Sequence, residues 1–258
     1  MQRRDFISSA GATLAAAAAP LGAAPEGEHR VHIVSLSFDD GFAKSFARTA
    51  EIYEKFGLSA CLNIVASGSD PDTEFSDSYA VRHPIGGWEL WNELAGRGHE
   101  IMPHGWQHAH LPDLPLSEAQ ALIKRCLDRF GERLRGFDAT KSVFNFPYNQ
   151  SSPELEAWLP EVVMALRTTG GGINPLPDAK TVKITTEGFG PGNSEEHLDR
   201  RLKEFVAGPS GWFVYNLHGL DDEGWGPIRA TYLESLLGRL LDQPTVRIVP
   251  TGRGILQS

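Results

Sequence analysis

From Val31 onward, short apolar and β-branched runs alternate with segments whose apolar positions recur every three or four residues. The runs VHIVSLSF (31–38), SACLNIVA (59–66), HEIMPH (99–104), KSVFNFP (141–147), VVMALR (162–167), TVKITT (181–186), WFVYNLH (212–218) and VRIVPT (246–251) predict strands. Helical periodicity falls between several of them, over 42–56, 86–98, 116–134, 194–207 and 228–243, with Ser117 as the expected N-cap of the third. Strands alternating with helices predict an α/β fold with a largely parallel sheet, open or closed into a barrel. Two polar, turn-rich stretches, 67–85 and 170–179, read as long surface loops.

In such folds chemistry collects at the C-terminal ends of strands. The first strand runs into Asp39-Asp40-Gly41, the third into His104-Gly-Trp-Gln-His108, the fourth into Phe146-Pro-Tyr-Asn-Gln150, and WFVYNL into His218. Adjacent carboxylates at the end of a buried strand oppose each other's ionisation unless positive charge sits beside them. His104 and His108, four residues apart, can meet at one point, and two imidazoles with one carboxylate make the three-ligand, open-position set of catalytic zinc. A cation held there would stabilise both aspartates as anions. His32, His83, His99, His110 and His197 read as solvent-facing, although His110 could instead pair with one of the other two.

The motifs SFDDG, HGWQH, FNFPYN and NLHG, in that order, resemble those of the polysaccharide deacetylase (NodB homology, carbohydrate esterase 4) family, over essentially the whole chain from Val31. The resemblance implies a distorted, incomplete (β/α) barrel of seven or eight mostly parallel strands. It implies one divalent metal ion, Zn2+ first, with Asp40, His104 and His108 as ligands. Asp39 becomes the base for the attacking water and His218 the acid for the leaving group. Pro147, Tyr148 and Asn145 become groove and oxyanion residues, with the Tyr148 backbone N–H at the oxyanion. The implied substrate is an acetylated carbohydrate; a non-sugar C–N bond of the imide or ureide type and a noncatalytic glycan binder are the alternatives.

The chain departs from the family pattern in three places. Asn145 stands where the family carries an arginine that orients the base, Asn149 stands where glycine is usual, and the aspartate–tryptophan motif is missing. Arg167 is the candidate to supply the guanidinium, with a surface salt bridge as its other reading. Asp221 is a candidate to orient His218, against plain loop solvation. Trp106, Trp225 and Tyr148 are candidates to stack on sugar rings, whereas Trp88, Trp91 and Trp212 read as core.

Composition narrows the partners. A net charge of −9 and a pI near 5.5 argue against nucleic acid and anionic membrane surfaces. Residues 1–28, with Arg3-Arg4 ahead of an alanine-rich segment, read as a twin-arginine export signal and short linker before one domain, 29–258. The protein is therefore expected in the periplasm or outside the cell, with no stable membrane insertion after signal removal. Cys61 and Cys126 lie inside apolar patterns and read as buried core residues rather than a disulfide framework.

Overall fold

The structure, a computed structural model, describes residues 30–70 and 84–258. The export-signal reading falls on residues outside these, as do His83 and most of the 67–85 loop.

Among the described residues the barrel strands are β1 (His32–Phe38), β2 (Cys61–Ile64), β3 (Glu100–Pro103), β4 (Val143–Asn145), β5 (Ala165–Thr169), β7 (Lys183–Gly188) and β8 (Gly211–Leu217). These seven parallel strands follow one another round a nearly closed barrel in the order β3-β2-β1-β8-β7-β5-β4. A two-residue strand, β6 (Ile173–Asn174), lies antiparallel on β8 inside what the sequence reads as a loop. The short β9 (Val246–Ile248) lies parallel to the first half of β1, and β2 pairs with its end. The barrel is incomplete between β3 and β4, where the Asn145 side chain donates to the Pro103 carbonyl at 3.3 Å.

Among the described residues the α-helices are α1 (Ala43–Glu54), α2 (Trp88–Gly96), α3 (Leu116–Arg133), α4 (Pro153–Trp158), α5 (Ser194–Ala207), α6 (Ala230–Leu241) and α7 (Thr251–Leu256). The expected cap of α3 is corrected: Pro115 is the N-cap, and Ser117 sits inside the first turn. Proline suits that boundary because its missing N–H would have no partner there. Among the described residues no helix is long and apolar enough to cross a membrane.

Alternation along the strands divides two interiors. Val34, Leu36 and Phe38 of β1 and Phe213, Tyr215 and Leu217 of β8 belong to the main core under the helices. The opposite face of the sheet turns into the barrel. Its lower layer is apolar, with Val143, Ala165, Ile184, Trp212 and Val214, and Ile255 of α7 packs against it. Its upper layer is polar, with Ser37, Asn63, Asn145, Arg167 and Asn216, all buried. A polar layer survives burial only if its groups satisfy one another. This one lies directly beneath the C-terminal strand ends, where it supports the site.

Candidate metal centre and active-site cleft

A cleft of about 620 Å³ opens at the C-terminal end of the barrel, lined by Asp39, Asp40, His104, His108, Tyr148 and His218 among others. Six residues from four separate strand ends thus converge. Asp39 continues the inward face of β1, and its N–H donates to the Leu217 carbonyl. The chain then turns through two left-handed residues, Asp40 at φ 82° and Gly41 at φ 93°. Aspartate tolerates this region better than most side chains, and glycine adopts it without strain. The turn separates the neighbouring carboxylates, so each finds its own positive partners.

Gly105, at φ 82°, turns the chain between His104 and His108, and a Cβ there would meet Pro147 Cγ at 2.9 Å. His104 Nδ1 lies 2.9 Å from the Asn145 carbonyl, which can only accept, so Nδ1 carries the proton and the Nε2 lone pair faces the cleft. Nε2 of His104 and Nε2 of His108 each lie 3.4 Å from Asp40 Oδ1. Asp40 Oδ1 is itself buried without a hydrogen-bond partner. The three donor atoms lie within 4.8 Å of one another. A tetrahedral cation with bonds of about 2.05 Å would separate its ligands by about 3.3 Å. The orphaned oxygen and the two 3.4 Å separations therefore fit a small divalent ion of the zinc type.

Asp39 sits beside this triangle, fully buried, and is held by three donors. Burial would raise its carboxyl, but the Arg167 guanidinium, with help from His104, outweighs that and holds it below the ordinary carboxylate value. Asp40 likewise would be raised by burial and is held low by His104, His108 and His218. The charge works in both directions: burial disfavours the His104 imidazolium, yet Asp39 and Asp40 raise its affinity for a proton. A cation would take the place of that proton.

Arg167 resolves the departure at Asn145. It lies within β5 at the position paired with Asn145 of β4, fully buried, so the surface salt-bridge alternative is excluded. Its Nη2 reaches Asp39 Oδ2 at 2.5 Å and its Nη1 reaches Ser37 Oγ at 2.8 Å. The guanidinium thus meets Asp39 from β5, the strand next to the one that carries Asn145.

Other placements are corrected. Asn145 does not face the cleft; it is buried beneath it, where its carbonyl aims His104 and its amide braces Asn63 at 2.9 Å. Pro147 is buried against Gly105 and is not among the residues that line the cleft. Trp106 is also buried, with the Arg125 guanidinium 4.0 Å from its ring, and does not line the cleft. Asp221 accepts from the Ala230 N–H at the start of α6, and so holds that helix instead of His218. The edge-on Trp225 ring, 5.4 Å away, is the neighbour of the His218 imidazole. Trp225 and Tyr148 do remain exposed at the cleft.

Of the other histidines, His32 and His99 are buried, correcting their solvent-facing reading, and His197 on α5 meets Tyr215 and Glu187. His110 stands at the rim against Gln150 and Asp113, outside the ligand triangle. Sequence reasoning missed Ser37, Asn63 and Asn216, which hold Asp39 and Arg167. Their signal was a polar residue near the C-terminal end of an otherwise largely apolar strand: Ser37 in β1, Asn63 in β2 and Asn216 in β8.

The α/β barrel thus carries a candidate cation site, the Asp-His-His triangle, beside a pinned carboxylate at its C-terminal mouth. The sequence profile described as polysaccharide deacetylase matches residues 26–161, and the chain belongs to that family. Solved structures share the fold at low identity. A Mycobacterium smegmatis protein assigned as a polysaccharide deacetylase superposes with a TM-score of 0.63 at 14% identity, over 93% of this chain and 95% of that one. A family 4 acetyl xylan esterase from Clostridium thermocellum, in complex with a cobalt ion, gives 0.58 at 16%, over 87% and 91%. The peptidoglycan deacetylase PdaC from Bacillus subtilis gives 0.53 at 16%, over 88% and 90%. No curated protein matches the chain closely.

Proposed function

We propose that the protein is an exported, metal-dependent hydrolase that removes acetyl groups from a carbohydrate. The observation that carries the reading is the meeting, in one cleft, of the Asp40–His104–His108 triangle with the pinned Asp39 and with His218. A zinc-type ion held by Asp40, His104 and His108 would supply Lewis acidity, acidifying water and polarising the acetyl carbonyl.

The chain's own groups do the rest. Asp39, ionised and held from below, accepts the proton of the attacking water. The backbone N–H of Tyr148, at the left-handed turn after β4 (φ 57°), is assigned to the developing oxyanion. His218 donates the proton that releases the amine or alcohol. Trp225 and Tyr148 offer exposed ring faces to sugar C–H surfaces. The cleft is lined by carboxylates, Glu187 included, and by no lysine or arginine among the described residues, which suits a neutral or amino sugar rather than a polyanion. The imide and ureide alternative drew on the missing family arginine, and Arg167 removes that support.

The test is acetate release from chitin oligomers, peptidoglycan and acetylxylan, before and after chelation and reloading with zinc. Release that chelation abolishes and zinc restores is expected. Asp39→Asn and His218→Ala should each lower turnover by about 10²–10⁴-fold while still binding zinc. Full activity in Asp39→Asn, or acetate release indifferent to chelator, would sink the reading. For export, replacing Arg3 and Arg4 by lysine should leave the protein in the cytoplasmic fraction.

A further inference from the structure

Arg167 reaches only one oxygen of Asp39, and the terminal torsion of an aspartate is broad and roughly two-fold. One contact of this kind leaves the carboxylate plane free to turn. We propose that two asparagine pairs, Asn63–Asn145 and Asn216–Asn149, form a bracket that fixes this plane and ties it to the turn bearing Tyr148. Asn216 is the positioning residue of its outer arm. The inference rests on Asp39 acting as the base.

Asn63 Nδ2 donates to Asp39 Oδ1 at 2.7 Å, and Asn216 Nδ2 donates to Asp39 Oδ2 at 2.7 Å. An ionised carboxylate only accepts, so each asparagine must turn its NH2 group toward Asp39 and its carbonyl oxygen away. Each of those oxygens then accepts from a second asparagine. Asn145 Nδ2 donates to Asn63 Oδ1 and Asn149 Nδ2 donates to Asn216 Oδ1, both at 2.9 Å. The direction of every bond in the bracket therefore follows from the charge on Asp39.

Asn145 and Asn149 bracket Pro147 and Tyr148 in the sequence. Asn149 is locked into the turn: its N–H donates to the Phe146 carbonyl at 3.0 Å and its own carbonyl accepts from Thr168 at 3.1 Å. The Asn145 carbonyl also holds His104. One five-residue segment, 145–149, thus sets both oxygens of the base, the tautomer of a metal ligand and the backbone of the oxyanion turn. A shift of that turn moves Asp39 with it, which keeps the base and the oxyanion site in register.

The test is a double-mutant cycle on the full chain, Asn149→Ala and Asn216→Ala, read as kcat and KM for the best acetylated oligosaccharide. Zinc affinity by calorimetry and thermal unfolding are measured alongside. Each single variant should lose about 10-fold in kcat with KM unchanged. Because both cut one link, the double variant should be no worse than Asn216→Ala alone. Zinc affinity should match wild type throughout, a result that general loosening of the site would not give. Losses that multiply in the double variant, or singles with wild-type kcat, overturn the bracket. Asn149→Ala lies at the cleft and decides the outer arm by itself if Asn216→Ala fails to fold. An inactive Asp39→Asn beside fully active asparagine variants would refute the bracket alone, whereas an active Asp39→Asn would refute the base and the bracket with it.

Discussion

The guanidinium of Arg167 spans Ser37 and Asp39 with two different nitrogens, and neither contact is reachable by solvent. An ammonium is a single point of donors without that fork, so Arg167→Lys should keep the fold and lower kcat by roughly 10-fold. Arg167→Ala removes the charge altogether and leaves a buried carboxylate uncompensated, which costs about 3–5 kcal/mol and is read as a lower urea midpoint. The depressed values of Asp39 and Asp40 set the sign of the pH response. Both carboxyls titrate below the unfolded aspartate value of 3.8, so the stability they contribute is complete above that pH and is lost as pH falls through their folded values. In the metal-free protein the urea midpoint should therefore fall steeply below about pH 4, and less steeply in Asp39→Asn. At this scale the convergence of Asp39, Asp40, His104 and His108 was legible, because aspartate and histidine are conspicuous at the ends of apolar strands. Arg167 was legible only as a candidate, since nothing in a linear chain says which neighbouring strand faces a missing group.

Element boundaries followed the same division. The seven barrel strands and the five longer helices stand close to where periodicity put them, because each has an apolar face long enough to show a period. The six-residue α4 and α7 and the two-residue β6 are too short to show one. Helix α7 depends instead on a distant residue: Glu100, at the start of β3, accepts from the N–H groups of Gly252 and Arg253, each at 2.9 Å. Burial nonetheless pushes the Glu100 carboxyl up. Glu100→Ala would orphan both donors at about 1–3 kcal/mol each. The expected outcome is a urea midpoint lowered accordingly, with kcat at 25 °C unchanged, because Glu100 lies at the end of the barrel away from the cleft. A parallel loss of zinc affinity would show that the two ends are coupled.

Across the whole molecule, burial also governs the thiols. Cys61 and Cys126 are free and buried, and burial lifts the Cys61 thiol to about 12. Neither should react with a disulfide reagent in the native protein, and both should react at once on unfolding in urea, whatever the redox state of the compartment. Labelling of Cys61 in the native protein would indicate opening of α7, whose Thr251 hydroxyl lies 3.3 Å from the Cys61 sulfur. What the sequence alone determined is the parallel α/β pattern and the aspartates and histidines that gather at the strand ends, because each is a property of residue type and local spacing. Tertiary structure decided which polar side chains serve those residues. Asn145, Pro147 and Trp106 went beneath or beside the cleft, Arg167 came in from β5, and Asn63 and Asn216 closed on Asp39. Those choices depend on barrel closure and strand order, which bring together residues as far as 177 positions apart and leave no mark on any one segment of the chain.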